Sequence, residues 1–204
     1  MLVRGSNFTN TPVLSLQAGG PIAWVGGPVV DPDSLKIIAF TTTGPLVNKA
    51  PANILDVNSV REYSQYGFVI DSIDELVERG DVVKISKVMD LNFFLPGLKV
   101  ESKRGSKMGK VEDFTVTDND FMVQQLIVRR PAIKSFLDPE LTIPRKEIVE
   151  VTDYKVIVKD DEKTIRERAL NEDFVPNFVN PFRKKPAESE FAPARSQNPD
   201  EEDN

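Results

Sequence analysis

Most of the first 160 residues carry short apolar runs that alternate with polar positions or are made continuous by β-branched residues. That is the pattern of strands rather than helices. The runs at 13–17, 23–30, 36–43 and 67–71 predict four strands, and those at 99–102, 109–116, 122–129 and 154–159 predict four more. Turn chemistry separates them. Gln17-Ala-Gly-Gly-Pro21 and Lys103-Arg-Gly-Ser-Lys107 fit glycine hairpin loops, while Asp31-Pro-Asp-Ser34 and Asp118-Asn-Asp120 fit polar turns whose Asx side chains bond their own backbone.

Helical spacing is confined to short stretches. Ser72-Ile-Asp-Glu75 fits a capping box and predicts a short helix ended by Gly80, and Val82, Ile85 and Met89 predict a second from Asp81 to about Asp90. The apolar stretch 91–97 is expected to pack against the strands that follow. In 161–171, Glu162 and Arg166, and Ile165 and Ala169, stand at helical spacing. Beyond them Pro176, Pro181, Pro186, Pro193 and Pro199 oppose regular structure. Residues 183–204 hold too few large apolar side chains to offset the entropy of ordering, so a disordered acidic tail is expected.

The two groups of strands repeat. A shift of 86 places Gly19–Val25 over Gly105–Val111, Val30 on Val116, Leu35 on Phe121, Ile37 on Val123 and Phe40 on Leu126. A shift of 88 then places Leu55 on Ile143, Val60 on Ile148, Glu62 on Glu150 and Tyr66–Ile70 on Tyr154–Val158. Identities are few, but residue class agrees through both segments, as in an internal duplication. Five or six short strands in roughly 60 residues are too few for a broad sandwich, and closing them into a barrel hides the sheet edges. The expected fold class is all-β: two tandem small barrels over 12–71 and 98–159, a helical connector over 72–97, and a charged helix and tail over 160–204.

The segment Gly97–Val116, with its strand, glycine turn and Gly109-Lys-Val111 second strand, resembles the opening of a PRC-barrel repeat. Val123-Gln-Gln-Leu-Ile-Val128, Ile143-Pro-Arg-Lys-Glu-Ile148 and Tyr154-Lys-Val-Ile-Val158 resemble its later strands. The first copy is less similar, because Ala23-Trp24 stand in place of Gly-Lys. The resemblance implies non-catalytic roles. PRC barrels form the cytoplasmic part of the photosynthetic reaction-centre H subunit and the carboxy-terminal half of the ribosome-maturation factor RimM, and others act as small adaptors. This chain departs from the first two: it shows neither a transmembrane helix nor a distinct N-terminal domain of the RimM kind.

Composition narrows the chemistry. There are no cysteines and no histidines, which removes disulfides, thiolate zinc sites, cysteine nucleophiles and the usual general base. No apolar run approaches the roughly 18 residues of a membrane helix, and the start has no signal-like apolar region, so a cytoplasmic protein without a transmembrane segment is expected. The net charge of −6 is uneven: −3 over 1–90, +2 over 97–159 and −5 over 160–204. An acidic total disfavours general nucleic-acid binding. No catalytic pair, cofactor or metal is expected.

A basic cluster, Lys99, Lys103, Arg104, Lys107 and Lys110 with Arg129 and Arg130, is the principal candidate site, for RNA or an acidic protein. Its plain alternative is a solvated, lysine-rich sheet edge that resists aggregation. Trp24, aligned with Lys110, is a candidate interface anchor, with a one-sided core position or packing between the barrels as the alternatives. Phe174, Phe178 and Phe182 recur every four residues among prolines, as a short docking motif or as residues that pack back on a barrel. Asp31, Asp33, Asp118 and Asp120 lack the glycine and glutamate of a calcium loop and read as turn aspartates. Gly19-Gly20 and Gly26-Gly27 lack a following Gly-Lys-Ser/Thr and read as hairpin glycines. The expected function is a protein-binding adaptor with partners of unknown identity. The alternative is a ribosome-assembly factor of the RimM type meeting a ribosomal protein or rRNA.

Overall fold

The computed structural model describes residues 1–44, 47, 53–130, 140–160, 164 and 165. The tail, with Phe174, Phe178 and Phe182, and all but two residues of the expected 161–171 helix lie outside them. The described residues are mostly strand. In order they form β1 (Leu2–Arg4), β2 (Pro12–Ser15), β3 (Gly20–Asp31), β4 (Lys36–Thr43), β5 (Ile54–Asp56), β6 (Glu62–Ser64), β7 (Gly67–Ile70) and β8 (Leu76–Val77). Helix α1 (Val83–Asp90) follows, then β9 (Lys99–Ser102), β10 (Lys107–Thr117), β11 (Val123–Arg129), β12 (Glu140–Pro144), β13 (Ile148–Val151) and β14 (Lys155–Val158).

These strands make two sheets. The first runs β6-β7-β2-β3-β4-β5-β8 and the second β12-β11-β10-β9-β14-β13, with β1 added to β10. Reading the second path backwards gives the same order as the first from β6 to β5. The registers agree as well. Val13 stands opposite Ala23 and beside Phe68 in the first sheet, and Val100 stands opposite Gly109 and beside Val156 in the second. Phe40 faces Leu55 as Leu126 faces Ile143. The offsets of 86 and 88 read from the apolar pattern are those by which β3 and β4, and then β5 and β7, match their counterparts, while β2 matches β9 at 87, because core-facing positions must match for a sheet to bury one face.

The turns follow their residues. Gly19 and Gly105 take positive φ in the two hairpins. The Asp31 carboxylate accepts from the Asp33 N–H and the Ser34 hydroxyl, and that of Asp120 accepts from the Met122 N–H. Two expectations are corrected. Gly26-Gly27 are not hairpin glycines; they lie inside β3 where its register with β4 shifts, and a Cβ on Gly26 would stand 2.9 Å from Thr41 Oγ1. The helix expected from Ser72 is one 3-10 turn, Ile73–Glu75, with Ser72 capping the Asp74 N–H. Strand pairing wins thereafter, because Leu76 and Val77 complete the open edge of β5.

The second helix forms as read. Ile85 and Val88 of α1 are buried against Ile38, Ala39 and Ile54 on the outer face of the first sheet. In the stretch after it, Leu95 is buried but Leu91 and Phe94 are exposed, contrary to the expectation that its apolar residues all pack.

The two sheets are not independent. Residues 1–11, which the repeat did not claim, cross to the second sheet: Val3 pairs with Val116, and Asp113 accepts from the Ser6 N–H and hydroxyl. Phe8 returns to the first sheet, fully buried among Phe40, Tyr63 and Phe68, with ring centroids 5.1, 5.2 and 5.8 Å away. Phe121, from the turn between β10 and β11, joins this cluster 6.0 Å from Phe8. It is the positional equivalent of Leu35, and both residues have positive φ at the end of a turn. The Ile37 N–H donates to the Phe121 carbonyl, and the Val123 N–H donates to the Leu35 carbonyl. This reciprocal pair places a local twofold relation between the copies. Arg145 reinforces it from one side, donating to the Ser34 carbonyl at 2.7 Å.

Candidate anion-binding groove

The basic cluster sits on the hairpin of β9 and β10 and on neighbouring β11. Pairing aligns its cations: Lys99 faces Lys110 across β9 and β10, and Lys110 faces Arg129 across β10 and β11. On the far side of β9, Lys155 of β14 stands beside Lys99. Four cationic positions therefore form one row across four adjacent strands, which lie roughly 4.8 Å apart. The close approach of β10 to β11 requires glycine at 109, where φ is +148° and a Cβ would stand 2.1 Å from the Arg129 carbonyl oxygen.

Around this row the surface is concave. A groove of about 450 Å³ is lined by Lys99, Lys107, Lys110, Arg129 and Arg130, with Glu101 the sole carboxylate in the lining among the described residues. Val100, at its back, is fully buried in the core. Lys103 and Arg104 are exposed at the hairpin tip, outside the groove, so the cluster read from sequence divides into a wall and a tip.

Two cations of the row are neutralised locally. Arg129 is held by Glu112, its Nε donating to Oε2 at 3.1 Å. That hydrogen bond, followed by charge attraction, raises the Arg129 pKa, and the same hydrogen bond lowers that of Glu112. Lys155 lies 3.4 Å from Glu101. Lys99, Lys107 and Lys110 make no ion pair among the described residues.

Like charges facing one another across strands are destabilising, by roughly 0.2–1 kcal/mol per pair. A protective edge does not account for them. β9, β10 and β11 each have a neighbour on both sides, so their backbone edges need no defence. The cationic row is thus carried by interior strands, not by a sheet edge.

The first sheet carries the same three-strand row with different chemistry: Pro12 faces Trp24, and Trp24 faces Thr43. Trp24 occupies the place of Lys110 and is 38% exposed, its ring resting over Gly44. Asp31 and Asp120 serve their own turns, Asp31 also draws Lys84 to 3.7 Å, and Asp118 accepts from the Met1 amino group at 2.7 Å. Two residues that shape the groove were missed: Lys155, which completes the row, and Glu112, which orients Arg129. Pairing the repeats strand by strand would have found Lys155. Nothing local in the sequence marks Glu112.

Compared with known protein families and with curated proteins, the chain matches no family model and no curated sequence.

Proposed function

We propose that the chain is a non-catalytic adaptor built on two PRC-type barrels, and that its working surface is the groove of the second, which takes an extended acidic segment of a protein partner. The supporting observation is the facing row Lys99, Lys110 and Arg129 on strands that are not edges, with Lys99 and Lys110 free of ion pairs among the described residues. Such repulsion is relieved by a bound polyanion. The shared strand order and register of the two sheets support a duplicated barrel.

A peptide is favoured over RNA by what the groove lacks. Single-stranded nucleic acid is held by stacking on aromatic rings as well as by charge, and among the described residues no aromatic side chain lines this groove. Tyr154 is exposed, and the ammonium of Lys155 lies 5.8 Å from its ring centroid, but it stands outside the lining.

The test is titration of a fluorescein-labelled decaglutamate peptide into the full chain, with Lys107→Glu/Lys110→Glu as control. The double variant is expected to lose at least tenfold in affinity while its circular dichroism stays unchanged. Equal affinity in the two proteins refutes the reading, and tighter binding of an oligouridylate than of the peptide hands the site to the ribosome-assembly alternative.

A further inference from the structure

The groove has a candidate occupant in the chain itself. We propose that the acidic segment Glu188–Asp203 binds the basic groove in cis and competes with an acidic partner, an inference that rests on the groove being a polyanion site as argued above. Three observations carry it. The first is charge: 188–203 holds Glu188, Glu190, Asp200, Glu201, Glu202 and Asp203 against the single cation Arg195. The second is the local excess in the groove, where Lys99, Lys107 and Lys110 have no ion pair among the described residues.

The third is where the last strand ends. β14 runs parallel to β9, with Val158 beside Ser102, and the Lys103 N–H donates to the Val158 carbonyl. Lys107 faces Glu101 one residue away along β9. β14 therefore ends beside the hairpin that carries the groove, and Ile165, the last described residue, is still buried in the core. From Ile165 to Glu188 is 23 residues, a contour of roughly 75 Å. The tether is thus ample, and linkage to a nearby site gives effective concentrations on the order of a millimolar. A weak charge-driven contact suffices to occupy the groove under those conditions. A partner then gains access only by supplying more charge, or better-spaced charge, than the chain's own end.

The experiment uses the full chain and the decaglutamate probe. Glu188, Glu190 and Asp200–Asp203 are replaced by their amides in one variant, and Lys107→Glu/Lys110→Glu is added to that variant in a second. Neutralising the carboxylates is expected to tighten probe binding at least fivefold, and adding the groove substitutions to abolish the gain. A zero-length carbodiimide cross-link between Lys107 or Lys110 and Asp200–Asp203 is expected within single molecules, independent of protein concentration. Unchanged affinity after neutralisation, with binding still dependent on Lys107 and Lys110, overturns the competition and leaves the groove's function standing. Probe binding that ignores the groove substitutions in both backgrounds overturns the functional reading as well.

Discussion

Tyr63 is a half-buried aromatic whose chemistry depends on its surroundings. Its ring lies 4.7 Å from that of Phe68, and burial, with a smaller contribution from the Asp118 carboxylate, raises its pKa. A raised folded-state value means the folded protein holds this proton more tightly than the unfolded chain. The associated stability is therefore complete below the unfolded value of about 10 and lost as pH rises through the folded one. Urea midpoints measured on either side of about pH 10 are expected to fall less for Tyr63→Phe than for the natural protein. Identical slopes would remove Tyr63 from the alkaline transition. The carboxylates behave oppositely: hydrogen bonds from Thr117 and from the Met122 N–H lower the Asp120 pKa, so its contribution is present above the ordinary carboxylate range and lost on acidification.

Strands set the groove more than any single side chain does. β10 is long enough to pair with β9 at its start and with β1 at its end while keeping β11 along its other side. Register shifts divide it into these parts, and bulges of this kind redirect a strand without ending it. Gly109 sits in the first part, where only a missing Cβ lets the Arg129 carbonyl come close. Gly109→Ala is expected to destabilise by about 2 kcal/mol or more, through strain at positive φ and a forced separation of β10 from β11. Gly19→Ala meets nothing within 4 Å and should lose only the conformational part, about 1 kcal/mol. Denaturant midpoints for the two variants make the comparison, and equal losses would mean that the close approach at 109 has no energetic consequence. The cationic row follows from the same pairing, since a slip of one residue would turn Lys99 and Lys110 toward the core.

Across the whole molecule the copies share one core. Phe121 belongs to the turn between β10 and β11 yet packs with Phe8 and with Phe40, Tyr63 and Phe68 of the first sheet. The reciprocal hydrogen bonds at Leu35 and Phe121 tie the two turns together. Phe121→Ala is expected to lose about 3–5 kcal/mol, as for truncation of a buried ring. Because the ring bridges the sheets, amide exchange should quicken in both β4 and β11. Loss of protection confined to β11 would show instead that the sheets open separately.

Much of this organisation is written in the order of residue types. The strands, their duplication, the two hairpins and the Asx turns rest on period, on glycine and on aspartate, which act within a few residues of themselves. The basic hairpin was visible for the same reason. What tertiary structure alone decided is which strands become neighbours. It converted scattered lysines into a facing row, made interior strands of what read as an edge, carried residues 2–4 onto the second sheet, and brought Glu112 to Arg129. It also exchanged an expected helix for the short strand β8, because an unpaired β5 edge outweighs a local cap. Propensity and turn chemistry are local, whereas charge alignment and burial depend on contacts between residues far apart in sequence, and that difference sets what each level determines.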